Sequence, residues 1–362
     1  MAAFTNFHMS PSLAGLPLSG ALKKVLKGVS WNEVRRMIAT RQVQVNGNLC
    51  VDESRRVSEQ DVIKVWEHPL AKPVDERDVR IVFWDEHLVV VEKPAGVTTL
   101  RHAEERNWPA RRKQMQPTLD ELLPRVLAQK MGLASGPAAR QTNREGKNGK
   151  PLRVQARGKE RQSRQPRPPT VLAVHRLDRD TSGLMVFART PTVEQSLVRL
   201  FSKHRIERSY WAVALGRVTP QTLDTLLVRD RGDGLRGSLP AGDAATDAQR
   251  AITHVRALET FIAGGQEYSV IECRLETGRT HQIRIHLAEI GHMLCGEKTY
   301  THPLGGRPAK DPSAAPRQTL HAAELGFVHP VTGELLNFQS PPPAPDLRDW
   351  LKRLRETPGP AT

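Results

Sequence analysis

Cysteine is scarce in this chain, and the few cysteines present lie far apart. The 362 residues include three, Cys50, Cys273 and Cys295, with no Cys-x-x-Cys pair among them. This number and this spacing support neither a disulfide framework nor a structural zinc site. The sequence therefore predicts no metal centre and a reducing environment.

Aromatic residues and long apolar runs are also rare. Aromatic side chains make up 5% of the sequence, which argues against a base-stacking platform along the whole chain. No segment approaches about 18 consecutive apolar residues, and Met1–Ser10 lacks the charged start and apolar core of a secretion signal. These absences predict a cytoplasmic protein with no membrane partner.

Acidic residues are outnumbered by basic ones. The chain has 54 Lys and Arg against 39 Asp and Glu, a formal net charge of +15. Residues 140–167 alone hold ten Lys or Arg and two Glu, a net +8, among Gly, Pro, Gln and Asn. Because no apolar periodicity is present there, we predict a disordered basic insertion over about 132–170. A basic chain favours a polyanionic partner, since phosphate contacts release counterions.

A compact first unit is predicted over residues 17–66. Apolar residues at helical spacing begin it, and Ser30 and Glu33 form a capping box before a second amphipathic helix. Alternating apolar residues then flank Asn46-Gly47, which is a strong hairpin signal. A last apolar strand closes the unit.

One polar turn stands between two apolar runs in the second half of the chain. Residues 175–188 read His-Arg-Leu-Asp-Arg-Asp-Thr-Ser-Gly-Leu-Met-Val-Phe-Ala. The pattern predicts two buried strands joined by a tight connection that presents Asp178. Asp178 is either a reacting carboxylate or a turn former that bonds its own backbone. A hydrolytic pair of Asp178 and Asp180 is a further alternative, although a loop does not fix their geometry.

Two later segments combine polar residues with regular apolar spacing. Residues 277–287 read Thr-Gly-Arg-Thr-His-Gln-Ile-Arg-Ile-His-Leu, which predicts a helix with His281 and Arg284 on one face. Residues 207–216 alternate as a strand does, and Tyr210 shares its face with two small alanines. Space beside Tyr210 favours a pocket, with a core position as the alternative.

Taken in their order along the chain, 175–188, 207–216 and 277–287, the three segments resemble the motifs of the RluA-type pseudouridine synthases, which isomerise uridine in RNA. The resemblance covers about residues 17–66 and 78–340, apart from the basic insertion. The first of these parts is similar to the alpha-L RNA-binding fold of a small-subunit ribosomal protein. The resemblance implies an α+β protein, with a mixed, mainly antiparallel sheet in the catalytic domain.

The resemblance also implies the order of the domains. We expect an alpha-L RNA-binding domain over 17–66, a linker over 67–78 and a catalytic domain over 79–345. The basic insertion falls inside the catalytic domain, just before the Asp178 turn. A C-terminal amphipathic helix and tail are expected over 346–362.

The site residues follow from matching the family's motifs residue by residue. The family's catalytic Asp falls on Asp178, the Tyr that contacts the target uracil on Tyr210, and the Arg that pairs with the Asp on Arg284. The family's Lys-x-Tyr pattern reads Arg208-x-Tyr here. The positions expected to contact substrate or RNA are Arg176, Arg279, His281, Leu320, Lys93, Arg35, Arg36 and Arg41.

Several alternatives remain open at this point. Lys93 lies in a Lys-Pro-x-Gly turn and either contacts phosphate or supports the turn, and Leu320 is either beside the site or ordinary core. Large-subunit ribosomal RNA is the expected substrate, because family members that act on it commonly carry such an N-terminal domain. Transfer RNA is the alternative, and a non-catalytic RNA-binding ribosome-assembly factor is the rival from another class. We expect a monomer that needs no cofactor.

Overall fold

The chain folds as two compact units. The computed structural model describes residues 4–46, 48–67, 74–101, 105–109, 113, 116–133, 168–239, 243 and 245–358. Met1–Pro73 and Trp108–Gln116 make up the first unit, and Val74–Asn107 and Pro117–Thr362 make up the second. The predicted basic insertion lies almost entirely outside the described residues. No helix within those residues is both long and apolar enough to span a bilayer.

The first unit combines two helices with a small antiparallel sheet. Its helices are α1 (Leu18–Val25) and α2 (Trp31–Ala39), and its strands are β1 (Phe4–His8), β2 (Val43–Val45), β3 (Asn48–Leu49) and β4 (Val62–Trp66), with a 3-10 turn at Pro11–Leu13. The sheet order is β1-β4-β2-β3. Apolar residues from both helices and from β2 and β4 form one core.

Local signals placed most of this unit correctly. The predicted capping box is confirmed, because Glu33 N–H donates to Ser30 Oγ at 3.2 Å and Ser30 N–H donates to Glu33 Oε2 at 2.9 Å. The predicted hairpin is confirmed by the antiparallel pairing of β2 with β3. Strand β1 lies before the predicted start at residue 17. It escaped the sequence pattern because it is an edge strand whose side chains are mostly exposed.

A large sheet organises the second unit. Its strands are β5 (Arg80–Trp84), β6 (Leu88–Lys93), β7 (Leu172–Ala173), β8 (Ser182–Ala188), β9 (Glu207–Leu215), β10 (Gln221–Val228), β11 (Gly237–Ser238), β12 (Gln249–Ala263), β13 (Gln266–Leu275), β14 (Leu320–Val328) and β15 (Leu335–Gln339). The helices are α3 (Leu119–Lys130), α4 (Pro191–Ser202), α5 (Gln282–Glu289) and α6 (Pro345–Arg355), with a 3-10 turn at Glu76–Asp78.

The sheet is mixed and mainly antiparallel, which confirms the predicted α+β class. The strand order is β11-β10-β12-β13-β9-β14-β8-β6-β5, with β15 on β14 and β7 on β8. Within the described part of the chain, β8 and β14 form the one parallel pair. The apolar stretch at residues 81–91 is divided between two strands, β5 and β6. Asp85 separates them, since its Oδ1 accepts the N–H groups of His87 and Leu88.

The central strand β9 has two different faces, as its alternation predicted. Tyr210, Ala212 and Ala214 pack in one core cluster, and the residues between them pack in another. The second cluster includes apolar residues of α6, which confirms the predicted C-terminal helix. The Tyr210 face is therefore the one left to the predicted active site.

Gly183 allows β8 and β14 to approach each other. Its φ is +113°, and a Cβ built there would lie 2.2 Å from the carbonyl oxygen of Ala322. We expect Gly183→Ala to lower the free energy of unfolding by about 3–5 kcal/mol, since both the backbone and the collision oppose it. The matched control is Gly232→Ala, because Gly232 has the same φ and nothing within 4 Å. Urea denaturation should give about 1–2 kcal/mol there, and equal losses would contradict the collision.

Candidate active site

Asp178 lies in the connection between β7 and β8, and that connection is held by its backbone. Thr99 Oγ1 donates to the carbonyl of Leu177 at 3.0 Å and accepts the N–H of Leu177 at 3.2 Å. These bonds fix the residue that precedes Asp178. The Asp178 side chain itself remains 17% exposed, so it is within reach of a ligand.

Two buried cations hold the next two residues of this connection. Lys93 Nζ donates to the carbonyl of Arg179 at 2.9 Å, and Arg317 Nη1 donates to the carbonyl of Asp180 at 2.9 Å. Arg317 also forms a bidentate ion pair with Asp346 on α6. The C-terminal helix is thus connected to the Asp178 turn through one guanidinium group.

The predicted phosphate contact of Lys93 is wrong. Its side chain is fully buried, and its Nζ also donates to the carbonyls of Pro94 and Val97, at 3.0 and 2.9 Å. All three N–H donors are therefore used by the protein. Burial lowers the pKa of Lys93 to about 7. The alternative, support of the turn, is the one that this geometry fits.

Helix α5 brings Arg284 to the Asp178 turn. Arg284 Nη1 donates to Asp178 Oδ2 at 3.0 Å. The helix is anchored beneath by Gln282, whose Nε2 donates to the carbonyl of Ile252 and to Thr253 Oγ1, each at 2.9 Å. The ion pair therefore joins two rigidly held segments.

Glu297 holds the other side of the Arg284 guanidinium. Its carboxylate accepts from Nε and Nη2, both at 2.7 Å, and its side chain is fully buried. It also accepts three backbone N–H groups, from Lys298, Thr299 and Tyr300. Burial works against both charges, yet the ion pair raises the pKa of Arg284 and lowers that of Glu297. Arg284 is thus a permanently charged partner for Asp178.

His281 approaches Asp178 from the start of α5. It is the N-cap of this helix and has a left-handed φ of 60°. The prediction that His281 and Arg284 share one helix face is therefore wrong, because only Arg284 lies inside the helix. Its Nε2 lies 3.6 Å from Asp178 Oδ1, and its Nδ1 lies 2.7 Å from the Tyr300 hydroxyl. Burial lowers the pKa of His281 although the Asp178 charge raises it. A left-handed backbone conformation of a residue other than glycine is often found at functional sites, so His281 stays a predicted contact of the substrate.

A cavity of about 560 Å³ opens over Asp178. The predicted residues that line it are Arg176, Asp178, Tyr210, Arg279, His281, Arg284 and Leu320. Leu320 both lines this cavity and packs in the core, so the two positions that the sequence left open for it are both occupied. A volume of this size is typical of ligand sites. Residues from three separate motifs thus surround one space.

Tyr210 faces this cavity from β9. Burial raises the pKa of Tyr210, so its hydroxyl stays protonated. That hydroxyl has no hydrogen-bond partner among the residues that the structure describes. Arg208, two residues earlier on the strand, also lines the cavity, and its Nη2 donates to the carbonyl of Glu276 at 3.1 Å. A ligand in the cavity would meet a free phenol next to a cation.

Sequence reasoning missed several residues of this site. Val198 and Phe201 from α4 line the cavity, and the Phe201 ring stacks on His175 with centroids 4.5 Å apart. Apolar residues three positions apart on a helix are the ordinary pattern of a core face, which does not distinguish a cavity wall. Glu297 and Arg317 were missed because their partners are distant in sequence.

The arginines predicted to contact RNA in the first unit are on its surface. Arg35 and Arg36 are exposed on α2, and Arg35 Nε lies 3.3 Å from Glu53 Oε2. Arg41 is half-buried, with φ +64°. Their contact with RNA stays a prediction.

Known proteins are similar to this chain in sequence and in fold. A profile described as RNA pseudouridylate synthase matches residues 87–289. The ribosomal large subunit pseudouridine synthase D of Zymomonas mobilis is 31% identical over 342 residues, which are 92% of this chain and 93% of that protein. The protein of the same name from Neisseria meningitidis serogroup A is 32% identical over 351 residues, with 95% and 80% covered.

A solved structure shows the same fold at lower identity. Human RNA Pseudouridylate Synthase Domain Containing 1 is 21% identical, and the match covers 80% of this chain and all of that one with a TM-score of 0.51. The profile spans more than half of the chain, and the bacterial relatives match it almost from end to end. The chain therefore belongs to the RNA pseudouridylate synthase family, as an RluA-type isomerase that converts uridine in RNA to pseudouridine.

Proposed function

We propose that this chain isomerises uridines of large-subunit ribosomal RNA, with Asp178 as the reacting carboxylate. The observation that carries the site assignment is the ion pair of Asp178 with Arg284 at 3.0 Å, in a cavity that Tyr210 also lines. The names of the bacterial relatives support the substrate. The proposed setting is the cytoplasm, and the proposed active form is a monomer.

The reaction needs one oriented carboxylate. The bond between uracil N1 and ribose C1′ breaks, the base turns, and C5 bonds to the same carbon. The proton lost from C5 is balanced by the proton gained at N1. A carboxylate serves this chemistry by attacking the sugar or ring, or by removing a ribose proton. Arg284 aims the Asp178 carboxylate for either route, because its Nη1 donates to Asp178 Oδ2 at 3.0 Å.

Tyr210 is proposed to receive the base. Extruding a base from folded RNA costs a few kcal/mol, and stacking on an aromatic ring returns about 1–3 kcal/mol. The protonated Tyr210 hydroxyl is a proton donor and acceptor close to where C5 would lie. Arg176 and Arg279, at the cavity, are proposed to contact the RNA strand.

The remaining free energy of binding is proposed to come from phosphate contacts. In the first unit, Arg35 and Arg36 are exposed on α2, and Arg41 follows that helix. We assign the alpha-L RNA-binding role to residues 17–66 and the catalytic role to 79–345. The formal charge of +15 predicts that RNA affinity falls steeply as salt rises.

Pseudouridine mapping in cells tests this function. Total RNA from a strain that lacks the gene is expected to have lost pseudouridine at one or more sites of large-subunit ribosomal RNA. The wild-type gene should restore those sites, and the Asp178→Ala gene should restore none. Lost sites confined to transfer RNA would overturn the substrate. Restoration by the Ala variant would overturn the catalytic role of Asp178.

A further inference from the structure

A second, smaller cavity adjoins the reaction cavity. Its volume is about 170 Å³, and Arg279 lines both cavities. Its other basic residues are Arg229, just after β10, and Arg236, just before β11. Asp247 also lines it, so three arginines and one aspartate give a net charge of +2. The smaller cavity is therefore positively charged.

The arginines of the smaller cavity are not neutralised by the protein. The guanidinium groups of Arg229 and Arg236 have no hydrogen-bond or ion-pair partner among the described residues. Arg231, between them, is different, since its buried side chain lies 3.0 Å from Asp233 and 3.8 Å from Glu289. Unpaired guanidinium groups at one concave surface are typical of a site for an anion.

Two hydrogen bonds make this surface more suitable for an anion. Asp247 Oδ2 accepts the backbone N–H of Arg229 at 3.2 Å, so part of the carboxylate is already used. Arg279 is fixed by its Nε, which donates to the carbonyl of Arg250 at 3.0 Å. Its two terminal nitrogens have no partner within the described ranges. A pre-positioned guanidinium loses little further entropy when an anion binds.

Arg236 is also close to the reaction centre. Burial is the largest cause that lowers the pKa of His281, and the charges of Arg284 and Arg236 add to it. His281 lies 3.6 Å from Asp178. An anion bound at Arg236 would therefore lie beside the cavity that holds the reacting nucleotide.

We propose that the smaller cavity binds a phosphodiester group of the RNA strand next to the uridine in the reaction cavity. The inference rests on the proposed function, because an RNA substrate is what places a phosphate beside the extruded base. Extrusion turns the nucleotide about its backbone by about 180°. A phosphate held by Arg229, Arg236 and Arg279 would fix the point about which the nucleotide turns.

The salt dependence of RNA binding tests this proposal. The probe is an unmodified transcript of the host's large-subunit ribosomal RNA, titrated from low to moderate salt with the wild type, Arg236→Gln and Arg236→Lys. Loss of one phosphate contact should reduce the slope of log affinity against log salt by about 0.7–0.9. Arg236→Gln is expected to show this reduction, and Arg236→Lys should retain the wild-type slope because the charge stays. The control is Arg348→Gln, because Arg348 is exposed on α6, which packs in the cluster of the opposite sheet face.

The outcomes separate this site from the function on which it rests. An Arg236→Gln slope equal to that of the wild type, or to that of Arg348→Gln, overturns the phosphate site even if the wild type forms pseudouridine. Inorganic phosphate that binds through Arg236, with an unchanged RNA slope, also overturns it and leaves a site for the free anion. A wild type that forms no pseudouridine on the transcript overturns the proposed function. The salt slopes report binding and not product formation, so they test the phosphate site separately.

Discussion

Asp178→Asn is expected to lower the single-turnover rate of pseudouridine formation by more than about 10³-fold, or about 4 kcal/mol in activation free energy. The amide keeps the size of the carboxylate and one acceptor for Arg284, whose Nη1 donates to Asp178 at 3.0 Å. It loses the charge and the basicity that the proposed reaction uses. RNA affinity should be undiminished, because no repulsive or bulky group is added.

The matched control for this variant is Asp180→Asn. Asp180 is two residues further along the same turn, and its side chain is exposed. Its structural contact, with Arg317, is made by the backbone carbonyl, which the substitution leaves in place. We expect a rate within about fivefold of the wild type, which is about 1 kcal/mol. Equal losses in the two variants would instead favour a pair of carboxylates.

Glu297→Gln is expected to lower kcat by about 10²-fold, or about 3 kcal/mol, with little change in KM for RNA. The Glu297 side chain contacts Arg284 and backbone groups and does not line the reaction cavity. We therefore expect it to affect the reaction only by orienting the Arg284 guanidinium. An amide offers one acceptor where the carboxylate offers two, and Arg284 would keep a single counter-charge. Loss of one partner of a buried ion pair should also lower stability by about 3 kcal/mol.

A control is needed because a less stable enzyme also turns over less. Glu272 on β13 bridges Arg256 and Arg274 with bonds of 2.7–3.1 Å. It lies on the sheet face opposite Tyr210, since its strand neighbour Cys273 packs with Tyr210. Glu272→Gln should reduce stability and leave kcat unchanged. Stopped-flow and quenched assays at a temperature where both variants are folded would separate the two effects, and a KM change in Glu297→Gln would contradict the positioning role.

The sequence predicted what depends on neighbouring residues. The capping box of Ser30 and Glu33 and the alternation around Tyr210 are local patterns, and both are present as predicted. The motif residues Asp178 and Arg284, 106 positions apart, were brought together only by the family resemblance. Neither the spacing nor the periodicity of the sequence predicts that these two side chains lie close together in space.

What the sequence could not predict depends on burial and on distant partners. Lys93 has the residue type of a surface cation, yet its Nζ donates hydrogen bonds to three backbone carbonyls inside the fold. Glu297 follows an unremarkable Cys-Gly pair, and its role comes from Arg284, 13 residues earlier. Charge alone does not reveal whether a side chain meets water, RNA or its own backbone.

The restraints on the Asp178 turn also determine when activity can appear during synthesis. Thr99 bonds Leu177 across 78 residues, and Arg317 bonds Asp180 across 137. Contacts of such high sequence separation form late in folding, because the intervening chain must first be closed into a loop. A growing chain that already contains Asp178 still lacks Arg284 and Arg317. We therefore expect the nascent chain to be inactive until its C-terminal strands have left the ribosome.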